Sequence, residues 1–298
     1  MRTHVRLAAL LALAATAACG SSGASAAMND SGPSGAASAS STSARQVSLP
    51  AGAAEAGARL DASPRHGEFV MVSAGGADSV RAWVVYPERR DKAPVVVVVH
   101  EIFGLSTWIR AVADQLAADG FIAIAPDFLT GMNVPNGPDG APIADSARAA
   151  IQRVNQADVQ RRIDAVARYG MALPAALPRY GIMGFCWGGS VSFNHAVHAP
   201  TLGASVVYYG TSPASDQLGS IRAPVLGLYG ENDARVNATI APADSAMRAL
   251  GKSYAYQVFP GAGHGFLRQQ DGQNGANLAA TQGAWPRTVA FFRQHLER

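Results

Sequence analysis

The chain has 298 residues, a net charge of +3 and two cysteines. A balance so close to neutral gives no basic footprint, which argues against a nucleic-acid partner. Two cysteines exclude a disulfide framework and a cysteine-rich zinc site in the mature domain.

Arg2 and Arg6 precede an apolar stretch, residues 7–18, that is too short to span a bilayer, and this predicts a secretory signal peptide. Thr16-Ala17-Ala18-Cys19-Gly20 resembles a bacterial lipobox, in which the cysteine is lipidated. Ala24-Ser25-Ala26 is a rival site of ordinary cleavage. Residues 1–19 are therefore read as leader. Residues 20–62 are read as a disordered Ser/Ala/Gly-rich tether, with too few bulky apolar side chains to offset the entropy of ordering. Residues 63–298 suit one α/β domain. The protein is expected to be exported and periplasmic, tethered to the membrane only through a lipid on Cys19, or else soluble or secreted. Losing Arg2 and Arg6 leaves 22 basic against 21 acidic residues.

Residues 68–73 and 79–86 alternate as strands, with a hairpin turn at 74–78. Residues 95–99 are five valines, a run that suits a strand buried on both faces of a parallel sheet. Ser106 can cap a helix in which Ile109, Val112 and Leu116 share a face and which Gly120 ends. Residues 121–125 form the next strand, stopped by Pro126-Asp127. Residues 128–142 are rich in Gly and Pro and read as a loop, long enough to be a lid or pocket wall. Residues 145–170 read as a helix. Strands at 180–183, 204–209, 225–229 and 254–259 alternate with helices at 188–197, 240–250 and 280–296. The alternation predicts a doubly wound, mostly parallel sheet with helices on both faces.

Chemistry is expected at the carboxyl ends of such strands. Gly184-Phe185-Cys186-Trp187-Gly188-Gly189 follows one strand and reads as a nucleophile elbow carrying a thiol. Gly230-Glu231-Asn232-Asp233 follows another, and Pro260-Gly261-Ala262-Gly263-His264-Gly265-Phe266 a third. Cys186, Asp233 and His264 then stand in the order nucleophile, acid, base. Asp233 competes for its role with Glu231. A thiol is mostly protonated at neutral pH, so His264 must take its proton or hold it as a thiolate–imidazolium pair, with Asp233 fixing the imidazole tautomer. The Trp187 N–H can donate to an oxyanion, and a second N–H should come from His100-Glu101-Ile102-Phe103-Gly104, with Ile102 the choice. His195 and His198 read as structural, and Asp127 as a loop anchor. No metal-ligand spacing, phosphate loop or dinucleotide fingerprint appears, so no cofactor is expected.

His100-Glu101-Ile102-Phe103-Gly104-Leu105, Ala125-Pro126-Asp127, the elbow, Gly230 with Asp233, and Gly263-His264-Gly265-Phe266 together resemble the dienelactone hydrolase (carboxymethylenebutenolidase) family of α/β-hydrolases. The resemblance runs from about residue 68 to the C-terminus. It implies an α/β-hydrolase fold and hydrolysis of a small ester or lactone through an acyl-thioester. It also implies that Glu101 helps to generate the thiolate, and that Arg268, four residues after the histidine, holds a substrate carboxylate. Arg148 is the candidate for a second such arginine, and Phe103 and Phe266 for substrate contacts. The competing expectation is an exported, non-catalytic binding lipoprotein that reuses a hydrolase fold.

Overall fold

The structure, a computed structural model, describes residues 48–297. The leader, Cys19 and residues 20–47 of the tether lie outside the described residues. After α1 (Ala56–Asp61) come β1 (Gly67–Gly75), β2 (Asp78–Val85), β3 (Ala93–Val99), α2 (Thr107–Ala118) and β4 (Ile122–Pro126). Then follow α3 (Ala144–Ile151), α4 (Gln156–Ala172), β5 (Ala176–Phe185), α5 (Trp187–His198), β6 (Ala204–Tyr208) and β7 (Val225–Asn232). The chain ends with α6 (Ala234–Asn237), α7 (Ile240–Ala249), β8 (Tyr254–Gly263) and α8 (Ala276–Leu296).

The eight strands form one sheet in the order β1-β2-β4-β3-β5-β6-β7-β8. β1 pairs antiparallel with β2, and β2 antiparallel with β4; from β4 to β8 every pairing is parallel. The sheet is thus doubly wound and mostly parallel, as the alternation of elements predicts. The valine run explains its depth. Side chains alternate across a strand, so Val95, Val97 and Val99 enter the core beneath α4, α5 and α7, while Val96 and Val98 enter the core beneath α2 and α8. No polar residue could occupy this strand without being buried.

Two expectations are corrected. Residues 145–170 are two helices, not one. Ile151 ends α3, and the Asn155 side chain accepts from the Ala157 N–H to start α4 afresh; a side-chain oxygen at that position satisfies an orphan donor and makes a new N-terminus favourable. The tether also ends earlier than residue 62, because residues 48–61 are packed. Trp108 Nε1 donates to Ala51 O at 3.1 Å, Gln270 Nε2 to Pro50 O at 2.9 Å, and the Ala53 N–H to Arg268 O at 2.8 Å. Ala56 is buried and Leu49 and Leu60 pack against the α2 and α8 core. Sparse but well-placed apolar residues hold a segment that composition alone assigns to disorder.

Removing residues 1–61 should therefore destabilise the domain by roughly 2 kcal/mol or more relative to removing residues 1–47. Urea denaturation of the two truncated chains measures the difference, and equal midpoints would show the segment to be loosely attached.

Candidate active site

Cys186 lies between β5 and α5 with φ +57° and ψ −115°, a conformation a non-glycine residue adopts only where its surroundings impose it. Those surroundings are glycines. A Cβ on Gly184 would lie 1.9 Å from Gly188 O, and one on Gly188 would lie 2.4 Å from both Val99 O and His100 O. Backbone can approach this closely only where no side chain intervenes. The strand, the turn and the start of α5 therefore clamp the thiol at the carboxyl edge of the sheet, with the Cys186 N–H donating to Tyr208 O at 3.1 Å.

His264 stands in the turn after β8, and its Nδ1 lies 2.6 Å from Asp233 Oδ2. Asp233 is 8% exposed and caps α6 after β7. Nδ1–H donates to the carboxylate, which leaves Nε2 as the ring's second working atom. Between the two acids the geometry selects Asp233. Glu231 instead accepts the Gly261 N–H and braces the turn. Burial pulls the His264 pKa down, but the hydrogen bonds and charges of Asp233 and Cys186 outweigh it and carry the value to about 9.

Glu101 is buried at 4% exposure, and its Oε2 lies 2.8 Å from Arg268 Nε. The Nε–H finds no aligned acceptor, so the contact is an ion pair rather than a directed hydrogen bond. Burial pushes the Glu101 pKa up to about 7, against the opposing pull of Arg268 and His264. Arg268 also lies over the ring of Phe103, its Cζ 5.0 Å from the centroid, and Arg148 reaches the same ring at 5.7 Å. The structure thus brings both candidate arginines to Phe103.

Ile102 and Trp187 both offer backbone N–H groups that donate to no protein acceptor among the described residues. Ile102 packs with Trp187 against α3, so the two donors occupy adjoining segments. Phe266 departs from expectation. It is fully buried among Tyr208, Tyr209 and Phe259 and is a core residue, not a substrate contact. His195 is likewise structural, with its ring nitrogens at Tyr180 and Gln160, and Asp127 anchors its loop by accepting the Leu129 N–H.

Tyr209 is the residue that sequence reasoning passes over. It follows β6 at φ +40°, its ring lies 5.1 Å from that of His264, and its hydroxyl is buried without a partner. Burial, with negative charge at Glu101 and Cys186, drives its pKa well up, so the phenol stays neutral. The signal available in sequence is an aromatic pair, Tyr208-Tyr209, followed by Gly210 at a strand end. A cavity of about 950 Å³ lies between α4 and α5 beside Trp187, Ser190 and Thr211. Its lining does not include Cys186 or His264.

A strained cysteine, an imidazole held by a buried aspartate and free N–H donors at the carboxyl ends of parallel strands define an α/β-hydrolase-type site. The dienelactone hydrolase family model matches residues 80–296. A Salmonella typhimurium protein named "Putative carboxymethylenebutenolidase" is 32% identical over 264 residues, covering 83% of this chain and 96% of its own length. An Escherichia coli K12 protein of the same name is 31% identical, covering 76% and 86%. The crystal structure of a "Putative Dienelactone Hydrolase" from Klebsiella pneumoniae superposes with a TM-score of 0.66 at 29% identity, covering 77% of this chain and 99% of that one. The chain belongs to the dienelactone hydrolase family and is a hydrolase of carboxylic esters or lactones.

Replacing Asp233 with Asn should drop the His264 pKa from about 9 toward the ordinary 6.5, because its hydrogen bond and charge act in the raising direction. Histidine-resolved NMR titration reads this directly, and an unchanged midpoint would remove Asp233 from its assigned place.

Proposed function

We propose that this chain cleaves a small, anionic ester or lactone by covalent catalysis at Cys186. The observation that carries the reading is the 2.6 Å contact between His264 and Asp233 beside a cysteine clamped at positive φ. The thiol proton passes to Glu101. His264, its pKa raised to about 9 and so already an imidazolium, stands beside the thiolate, and the sulfur attacks the carbonyl carbon. The resulting oxyanion accepts from the Ile102 and Trp187 N–H groups. Collapse expels the alkoxide, which leaves with the proton held by His264, and an acyl-thioester remains. Water then attacks the thioester, giving its proton to His264, and the thiolate departs with the free acid.

Glu101 and Arg268 supply the control. A substrate carboxylate placed against Arg268 competes with Glu101 for the same cation. Released from Arg268, Glu101 loses a charge that holds its pKa down and becomes a stronger base, suited to take the proton of the resting thiol. The substrate class follows from this competition, and the relatives' names point the same way: one is a "Probable 2-oxo-3-(5-oxofuran-2-ylidene)propanoate lactonase" from Bradyrhizobium. Phe103, flanked by Arg268 and Arg148, forms the floor of the carboxylate site. The signal-like leader and the lipobox-like Cys19 support export and attachment by a lipid. Palmitate labelling of the full chain, lost in Cys19→Ser, tests this part separately.

Cys186→Ala should abolish turnover of p-nitrophenyl acetate, by about a thousandfold or more, with the fold retained by circular dichroism. Retained turnover would sink the covalent reading. Cys186→Ser should also perform poorly, since serine is a far weaker acid than the site is arranged to ionise. The kcat/KM profile should rise on the acid side as Glu101 ionises near pH 7. That limb should move in Glu101→Gln and stay in place if Glu101 is only structural.

A further inference from the structure

His100 directly follows β3, is fully buried, and has no task in the cycle above. Its two ring nitrogens have different partners. The Phe128 backbone N–H donates to Nε2 at 3.1 Å. A ring nitrogen that accepts carries no proton, so the hydrogen of the neutral ring sits on Nδ1 and is donated to the backbone oxygen of Glu101 at 2.6 Å. Burial favours this neutral form and pulls the pKa down, against the opposing charge of Asp127.

The consequence lies one bond further along. In a trans peptide the carbonyl and the following N–H point in opposite directions. Holding Glu101 O against the imidazole turns the Ile102 N–H away from it, with no acceptor among the described residues. The Gly104 N–H reaches the same oxygen at 3.4 Å, so the peptide is gripped from two sides. The face of the imidazole meanwhile stacks on Trp187, with centroids 5.5 Å apart and planes 20° from parallel. Phe128 packs on both rings. Gly188, the next residue of α5, presses its backbone on His100 O.

We infer that His100 is a positioning residue that sets both oxyanion donors, aiming the Ile102 N–H through the Glu101 carbonyl and seating Trp187 by stacking. The inference rests on the covalent reading above. His100 touches no substrate; it determines where the developing negative charge finds its partners.

Asparagine and glutamine separate the two nitrogens. His100→Asn places an amide donor near Nδ1 and loses the acceptor; His100→Gln reaches the Nε2 position and loses the donor. Both should melt earlier than the parent. With p-nitrophenyl acetate, His100→Asn should keep kcat within about threefold, whereas His100→Gln should lose about thirtyfold or more with KM nearly unchanged. Equal kcat values for the two variants would overturn the inference. Nitrogen-15 NMR of the parent protein should find the hydrogen on Nδ1, and a hydrogen on Nε2 would overturn it even where neither variant folds. Cys186→Ala is assayed in parallel. Wild-type turnover there would sink the covalent reading and this inference with it. Loss there, combined with indistinguishable Asn and Gln variants, would sink this inference alone.

Discussion

The molecule is organised around a backbone contact that admits no side chain. Gly184 and Gly188 let the end of β5, the first turn of α5 and the end of β3 come together at distances that any Cβ would forbid. Cys186 is held at positive φ by that contact. The cost of such a conformation, of the order of 1–3 kcal/mol, has to be offset by the packing around it. Here the packing is a sheet buried on both faces. The valine strand, filled on each side by alternate residues, is the anvil on which the elbow is held. Loosening β3 would let the cysteine relax, and the thiol would no longer be presented at the sheet edge.

The charges are arranged as two pairs of different character. His264 and Asp233 form a short, directed contact that fixes one ring nitrogen and leaves the other to face Cys186. Glu101 and Arg268 form a pair held by charge, without an aligned hydrogen bond. The first pair is directional; the second is not. A buried carboxylate that relies on one cation is sensitive to anything that competes for that cation, because loss of the partner leaves an uncompensated charge in a poorly solvated site.

The legible part of this chain was its punctuation. Glycines, prolines and polar residues at the ends of apolar runs located every parallel strand, and the predicted site residues follow four of those ends, β3, β5, β7 and β8. What the sequence withheld depends on direction. Asp233 is legible as the acid from its spacing to Gly230 and the family resemblance; the turn of exposed Glu231 to the Gly261 N–H is not. Phe266 lies two residues from the histidine, yet the Gly265 turn, at φ +77°, directs it into the core. Tyr209 read as the last residue of a strand, whereas its left-handed backbone turns it toward the site. The N-terminal segment was misread because composition counts apolar residues without knowing that Leu49, Ala56 and Leu60 meet the same core.

That segment gives the site an unusual anchorage. Ala53 donates its N–H to the backbone oxygen of Arg268, and Gln270, two residues on, holds Pro50. The loop that carries Arg268 is thus sewn to the point where the described chain enters the domain. A strain applied to the polypeptide ahead of residue 48 is shared between α2, which holds Ser48 and Ala51 through Gln115 and Trp108, and the Arg268 loop, which holds Pro50 and Ala53, before it reaches any strand of the sheet. In this architecture the entry of the chain and the Arg268 loop are mechanically coupled.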